Sequence, residues 1–429
     1  MFRVKISLAA LALVSGFAQA GDWPQWRGPN RDEKSTETGL KKDFKATPKV
    51  LWKMDRAGLG FSGPSIRDGK LYLVGGTPEG KKHTDEVSCL NADTGEKIWK
   101  VKLPGDYEDT GLDQTFGGGP RSNPTITADG KLYFLGIKGE LYCLDAKDGH
   151  VIWQKSYSKD FGGKMPVWGF SESPLIDGEK IVCVPGGSKG AVVALDRNTG
   201  SLLWKTNGVN DDANYSSLVK TVLSGVEQYV TLTAKSVIGV AVDDGKLLWK
   251  YDCSDKYKTA VIPTPVVVGP NLVFATAGYR AGCDLLKISG GKDGQTAEAV
   301  YTNKELDNHH GGVVFHEGFI YGHSDKNGWV CQDVTDGKLK WSLKSGKAEK
   351  GSVLFADGAL YCYCEGSGDL FVLEANPKIA VELGRFTLPE KTKLRRPRSG
   401  IWTHPVISNG KLYLRDQDKF FCFDIGAKN

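Results

Sequence analysis

Leu195-Asp196-Arg197-Asn198-Thr199-Gly200-Ser201-Leu202-Leu203-Trp204-Lys205 reads as the end of one strand, a tight turn and the start of another, with the turn glycine four residues ahead of a tryptophan. The phrase returns at 91–100, 145–154, 242–250 and 334–341, giving the pairs Gly95/Trp99, Gly149/Trp153, Gly200/Trp204, Gly245/Trp249 and Gly337/Trp341. Self-similarity at a period of roughly 45 to 50 residues marks a repeat architecture, each unit being one supersecondary element.

Outward from the phrase, each unit starts with a hairpin. In Pro64-Ser65-Ile66-Arg67-Asp68-Gly69-Lys70-Leu71-Tyr72-Leu73, Asp-Gly between alternating apolar runs is the strongest short-range hairpin signal, because such turns need positive φ. Comparable turns are Asp129-Gly130, Asp177-Gly178, Ser224-Gly225, Glu317-Gly318, Asp357-Gly358 and Asn409-Gly410, with Gly269-Pro270 an irregular copy, so there are eight first hairpins. A third strand, the glycine turn and the tryptophan strand complete a four-stranded antiparallel meander.

The gap between Trp249 and Trp341 is about twice the repeat, so a unit without its tryptophan lies between them, and the seventh unit lacks it too. The eighth stops one strand short at Cys422-Phe423-Asp424-Ile425-Gly426, while Val50-Leu51-Trp52-Lys53 is a strand without a sheet. The sequence thus predicts an all-β, eight-bladed β-propeller over 50–429, its last blade completed by the N-terminal strand so that no long edge stays open. The competing parallel β-helix is opposed by two tight antiparallel turns per unit. Residues 21–49, opening Asp22-Trp23-Pro24-Gln25-Trp26-Arg27-Gly28-Pro29-Asn30, read as an ordered N-terminal extension with aromatic anchors.

Arg3 and Lys5, the apolar run 6–17 and Ala18-Gln19-Ala20 have the order of a signal peptide over 1–20, predicting an exported protein, periplasmic or extracellular. No later apolar run is long enough to span a bilayer. Without Arg3 and Lys5 the formal charge falls from +5 to about +3, too weak for charge alone to argue a nucleic-acid or membrane partner. Of nine cysteines, Cys89, Cys143, Cys331 and Cys422 share one repeat slot with Ala194 and Ala241, which predicts a small buried position. Whether Cys362 and Cys364, or Cys253 and Cys283, pair is left open by spacing.

The phrase Asp-x-x-Thr-Gly-x-x-x-Trp resembles the repeat of pyrroloquinoline-quinone (PQQ)-like propellers, over essentially the whole chain after Lys49. The resemblance implies that Trp52, Trp99, Trp153, Trp204, Trp249 and Trp341 dock between neighbouring sheets. The family holds both quinoprotein dehydrogenases and non-catalytic scaffolds of the BamB type. The opening Asp22 to Pro29, Asn308-His309-His310-Gly311-Gly312 and Leu414-Arg415-Asp416-Gln417-Asp418 look like a group of secreted bacterial PQQ-like propellers. Quinoprotein alcohol dehydrogenases set PQQ against a disulfide of adjacent cysteines, with calcium and an Asp. This chain has no adjacent cysteines and no Cys-x-x-Cys-His for haem. A cofactor-free binding scaffold for a protein partner or small ligand, acting as a monomer, is therefore favoured. A PQQ- and calcium-dependent oxidoreductase of alcohols or sugars is the alternative.

In a meander, the loops between strands two and three share a face with the connections to the next blade. Here those loops are long and varied, as function-bearing loops on a rigid scaffold are. They carry Arg121, Trp168, Tyr215, Tyr279, Arg280, His309, His310, Lys350, Trp402, His404, Arg415 and Asp416, which would offer donors and stacking surfaces to an anionic or polar-aromatic ligand. No metal is expected, since adjacent His309 and His310 on an extended segment would point to opposite faces. His323 and Asp325 would join a site only if their loop folds inward. His83, His150 and His316 read as solvent-facing, and the run Lys393-Leu394-Arg395-Arg396-Pro397-Arg398 as a solvated connection.

Overall fold

A computed structural model of the protein describes residues 21–79, 82–108 and 111–427; the segment read as a signal peptide lies outside them. The strands form eight sheets, each containing a four-stranded antiparallel meander. The first strands of the blades are Ser65–Arg67, Thr125–Ile126, Leu175–Asp177, Val219–Leu223, Val266–Gly269, Val313–His316, Gly351–Ala356 and Val406–Ser408. Val50–Met54 pairs antiparallel with Lys419–Asp424, so the N-terminal strand completes blade eight as the orphan tryptophan strand predicts. Two short helices, Gly111–Phe116 and Tyr157–Phe161, lie in connections between blades.

The repeat phrase is a seam between blades. Its Asp or Asn accepts from the turn it opens, as Asp196 Oδ1 does from the N–H groups of Asn198 and Thr199. Each tryptophan then reaches the next blade: the indole N–H of Trp52 donates to the Ala92 carbonyl, that of Trp99 to Ala146, that of Trp153 to Arg197 and that of Trp341 to Asn376. Trp249 instead donates to Gln228 of its own blade, and Gln228 in turn donates to Gln295 of blade five, where a long hairpin replaces the Asp-x-x-Thr-Gly turn. In blade five Tyr301 takes the tryptophan position, opposite Leu285 and against Gly337 of the next blade.

The cysteine slot is the cross-strand partner of the tryptophan. Cys89 faces Trp99, Cys143 Trp153, Ala194 Trp204, Cys331 Trp341 and Cys422 Trp52. In blade four the slot is Gly239, opposite Trp249, and Ala241, expected there, lies two residues beyond it. All nine cysteines are free and buried.

Five first hairpins have both central residues at positive φ, as at Asp68 (50°) and Gly69 (71°). The turn of blade three is shifted by one residue: Asp177 pairs with Lys180, so Gly178 and Glu179 make it.

Residues 21–35 do more than anchor the chain. Trp23 exchanges backbone hydrogen bonds with Ile66 of blade one, Ile126 N–H donates to Pro24 of blade two, and Lys34–Ser35 runs parallel to Phe355 and Ala356 of blade seven. Arg31 donates to the Ser173 and Pro174 carbonyls at the entry to blade three, and Arg27 to the Val313 carbonyl of blade six. The arm therefore closes the ring of innermost strands at the hairpin-turn end and satisfies backbone groups those edges would otherwise leave unpaired. Arg415 closes the seam between blades eight and one. Its five N–H groups reach the carbonyls of Gln417, Ser62, Val74, Ala57 and Gly58.

Candidate functional site

With one end stoppered by the arm, the other end of the channel becomes a funnel. A cavity of about 310 Å³ opens there, with Trp26 and Arg27 of the arm in its lining. Every blade contributes to its wall, because the residues just before each innermost strand converge on the axis. Phe61, Arg121, Ser173, Ser217, Thr264, Gly312, Lys350 and His404 are such residues in blade order.

Of the twelve residues expected on this face, nine line the funnel: Arg121, Trp168, Tyr215, Tyr279, His309, His310, Lys350, Trp402 and His404. Arg280 stands outside it, its N–H donating to Asp307. Arg415 is wholly buried in the seam, and burial lowers its guanidinium to about 9. Asp416 is buried beside it, accepting from Arg395 at 2.8 Å and from the Thr392 N–H. Both sit at the end of a blade-eight strand, where the pleat turns them to opposite faces of the sheet, Arg415 toward blade one and Asp416 toward the connection from blade seven, and neither toward the axis.

The wall is a collar of rings. On one arc, Phe116 meets Trp168 and Trp168 meets Tyr215, each with ring centroids 6.0 Å apart. On the other, Tyr279 packs edge-on to His309 at 4.5 Å, His309 lies 4.6 Å from His310, His310 5.4 Å from Trp402, and Trp402 4.8 Å from Phe61. Arg121 lies over Phe61, 5.3 Å from the ring centre, and its guanidinium also braces its own loop through the Gly117 and Gly119 carbonyls.

Both adjacent histidines face the funnel, against the alternation expected of an extended segment. The chain leaves the strand pleat here, bending through Gly311 (φ 87°) and Gly312 (φ 67°). A Cβ on Gly311 would lie 2.1 Å from the Gly351 carbonyl oxygen, so the bend depends on glycine.

The charged groups of the wall are coupled. Lys350 Nζ lies 2.9 Å from Asp325 Oδ1 and 2.6 Å from His309 Nδ1. An ammonium only donates, so Nδ1 accepts and His309 carries its proton on Nε2. Burial, with His310 and Lys350 adding, pushes His309 down to about 2, which keeps the ring neutral. His310 Nε2 lies 2.8 Å from Glu365 Oε2; burial lowers the imidazole although Glu365 opposes it. Burial works against the Glu365 carboxylate too, yet His310, Lys350 and Trp402 hold it below its ordinary value. At the floor, His404 Nδ1 is 3.1 Å from Glu33 Oε2 without the alignment of a hydrogen bond, and its ring meets Trp26 edge-on at 4.5 Å.

Other expectations are corrected. His83 is buried and stacked on Tyr107 at 5.4 Å, because the long strands of blade one carry it into a packed hairpin. His316 is half-buried against Phe355, while His150 is exposed. His323 packs in its strand against Trp329. The basic run is not simply solvated: Arg395 pairs with Asp416, and Arg398 lines the funnel.

Phe61, Phe116, Glu365, Trp26 and Arg27 join the site without being legible as site residues in the sequence. For the first three the signal was position just ahead of or between strands, and for the last two it was the ordered arm itself.

Residues 83–343 match the PQQ_2 family, described as outer membrane protein assembly factor BamB. The chain belongs to that family. Among curated relatives, it is 25% identical to the tetrathionate hydrolase of Acidithiobacillus ferrooxidans over 62% of this chain and 48% of that protein. It is 28% identical to the dehydrogenase subunit of the quinone alcohol dehydrogenase of Gluconobacter oxydans, over 32% of this chain and 19% of that protein. The chain thus spans about half or less of these relatives. Among solved structures, BamB from Moraxella catarrhalis superposes with a TM-score of 0.59 at 13% identity, over 89% of this chain and 98% of that one. The quinohemoprotein alcohol dehydrogenase of Comamonas testosteroni gives 0.60 at 12%, over 96% and 82%. Identities this low speak for the fold alone.

The fold family raises PQQ with calcium, so the funnel residues can be tested against it. Calcium takes roughly six to eight oxygen ligands, carboxylates prominent among them. Glu365 is the carboxylate among the described lining residues, already facing His310 and Trp402, and no three His, Cys, Asp or Glu of the described residues gather as a metal site. The residues present do not fit a calcium-held quinone. No described helix is long and apolar enough to cross a membrane.

Proposed function

We propose that this BamB-family chain is an exported, non-catalytic binding propeller whose recognition surface is the stoppered funnel and its rim. One observation carries this reading: all eight blades send residues into one aromatic, donor-bearing cavity whose floor is the chain's own N-terminal arm. Loops of that kind on a rigid ring suit recognition, and a concave, largely apolar wall with a few fixed polar groups is how ligand sites are built. Export rests on the leader-like segment and on the family's outer-membrane description.

The test is site-specific photocrosslinking. A photoreactive side chain at Tyr279, which is 49% exposed at the rim, should form adducts with the bound partner or ligand, whereas one at Leu203 on the outer blade edge should not. Adducts at Leu203 alone would place recognition elsewhere.

The likeness to quinone alcohol dehydrogenases motivates a second reading, a PQQ-dependent oxidoreductase of alcohols or sugars. Reconstitution with PQQ and calcium followed by dye-linked oxidation decides it. Turnover with a saturable 1:1 complex would replace the binding-module reading.

A further inference from the structure

Two spare donors stand side by side in the funnel wall. Lys350 gives one N–H to His309 and pairs with the Asp325 carboxylate, and no further acceptor for it stands among the described residues. His309, with Nδ1 occupied by that ammonium, presents Nε2–H as a neutral donor, also without a partner among the described residues. The wall's carboxylate, Glu365, keeps Oε2 2.8 Å from His310 Nε2 without the alignment of a hydrogen bond, so it is a spare acceptor on the far side of His310 from Lys350's pair with His309. A sugar or alcohol hydroxyl brings one donor and two acceptor lone pairs but no charge to meet the ammonium. An oxyanion brings acceptors alone and matches what is offered.

The bodies beside these donors are flat. Tyr279 stands edge-on to His309, and the ring series continues through His310 to Trp402. Such a wall favours a rigid ring system over a flexible chain, since stacking adds to area burial and little freedom is lost. At about 310 Å³ the cavity admits a compound of one to three fused rings, at the small end of ligand sites.

We propose that the funnel binds a small aromatic monocarboxylate, its carboxylate held by Lys350 Nζ and His309 Nε2–H and its ring against the Tyr279–Trp402 arc. This rests on the binding reading above and narrows it to one ligand chemistry. Asp325 is a positioning residue: it holds the ammonium so that His309 keeps the tautomer with its proton toward the ligand. Since His309 stays neutral far below physiological pH, binding is level between about pH 5 and 8, unlike a site built on an imidazolium.

The probes are 2-naphthoate and its neutral isostere 2-naphthamide, followed by tryptophan fluorescence and calorimetry on the full chain. The expected result is saturable binding of 2-naphthoate, at least about tenfold tighter than the amide, as loss of a charge-assisted hydrogen bond implies. H309F, which leaves the Lys350 ammonium in place, should weaken the preference, and K350M should erase it while still binding the amide. H309Q, whose amide can accept from Lys350 and donate to the ligand, should keep it. If H309F does not fold, the wild-type comparison of the two probes still decides.

Equal affinity for both probes overturns the inference but leaves a ligand funnel. Failure of both near 1 mM, with adducts still forming at Tyr279, overturns it and leaves a protein-binding face. Acetate competing as strongly as naphthoate removes the aromatic half of the claim and overturns it as stated. Loss of the preference between pH 6 and 7 overturns the neutral-donor account. Quinone-dependent turnover would instead remove the reading on which it rests.

Discussion

Arg27 Nε lies 3.0 Å from Glu33 Oε2 inside the ring of innermost strands, with the two side chains 1% and 2% exposed. The arm coils tightly to make this contact: Arg27, Arg31 and Glu33 all have φ between 57° and 64°, and Glu33 N–H donates to the Arg27 carbonyl. Removing one partner strands the other charge where water cannot reach it. E33A should therefore cost about 3–5 kcal/mol in urea unfolding, and a double-mutant cycle with R27M should recover much of that loss. A cost below about 1 kcal/mol would show that the stopper is not integral to the fold.

Gly239 is the cross-strand partner of Trp249, and a Cβ there would fall 2.0 Å from the indole Nε1 and 2.6 Å from Gln228 Oε1. G239A must push the indole off its partner, so a loss of about 1–3 kcal/mol is expected by equilibrium denaturation. Ala194, which already carries that Cβ opposite Trp204, should tolerate substitution by Cys with a smaller change.

The nine cysteines are buried as free thiols. Burial pushes Cys89 and Cys143 up to about 11 and Cys253 and Cys364 to about 12. Iodoacetamide at pH 8 should leave the native protein unlabelled by mass and label nine sites after denaturation. Rapid labelling of the native protein would place a thiol on the surface.

Two buried carboxyls give stability a pH dependence. Burial raises Asp85 to about 7 although the Tyr107 hydroxyl opposes it, and raises Glu172 to about 7 against Tyr157, the Val184 N–H and Arg31. Unfolded, both titrate near pH 4, so the folded protein holds extra protons between about pH 4 and 7 and loses stability as pH rises through that window. Tm should fall from pH 5 to 7.5, and E172Q, which stays neutral, should reduce the slope. A slope unchanged in E172Q and in D85N contradicts this.

Arg121 was expected as a ligand-facing group, and it also holds its loop. R121A should release the Gly117 and Gly119 carbonyls at a cost of about 1.5–3 kcal/mol. R121K should not restore the loss, since an ammonium cannot span both with a fixed fork. Hydrogen exchange at 117–121 reads the effect directly.

The match between prediction and structure is uneven for a physical reason that particular residues make plain. Trp52, Gly95 and Cys89 could be placed from the repeat because turn chemistry and period are short-range, and each copy restates the same geometry. Nine of the twelve residues expected on this face line the funnel, since the segments before the innermost strands and the loops between second and third strands both gather at that end of the ring. Arg415 and Asp416 broke the rule through their position late in a strand, where the pleat decides which way a side chain turns.

Sequence alone determined the eight blades, the closing strand at Trp52 and the face on which the loops gather, because these depend on local turns and on counting. Only the tertiary structure decided that the arm around Arg27 and Glu33 fills one end of the channel, and that Lys350 fixes the proton on His309. Those contacts join parts of the chain that no repeat relates, and burial, not spacing, sets their charge.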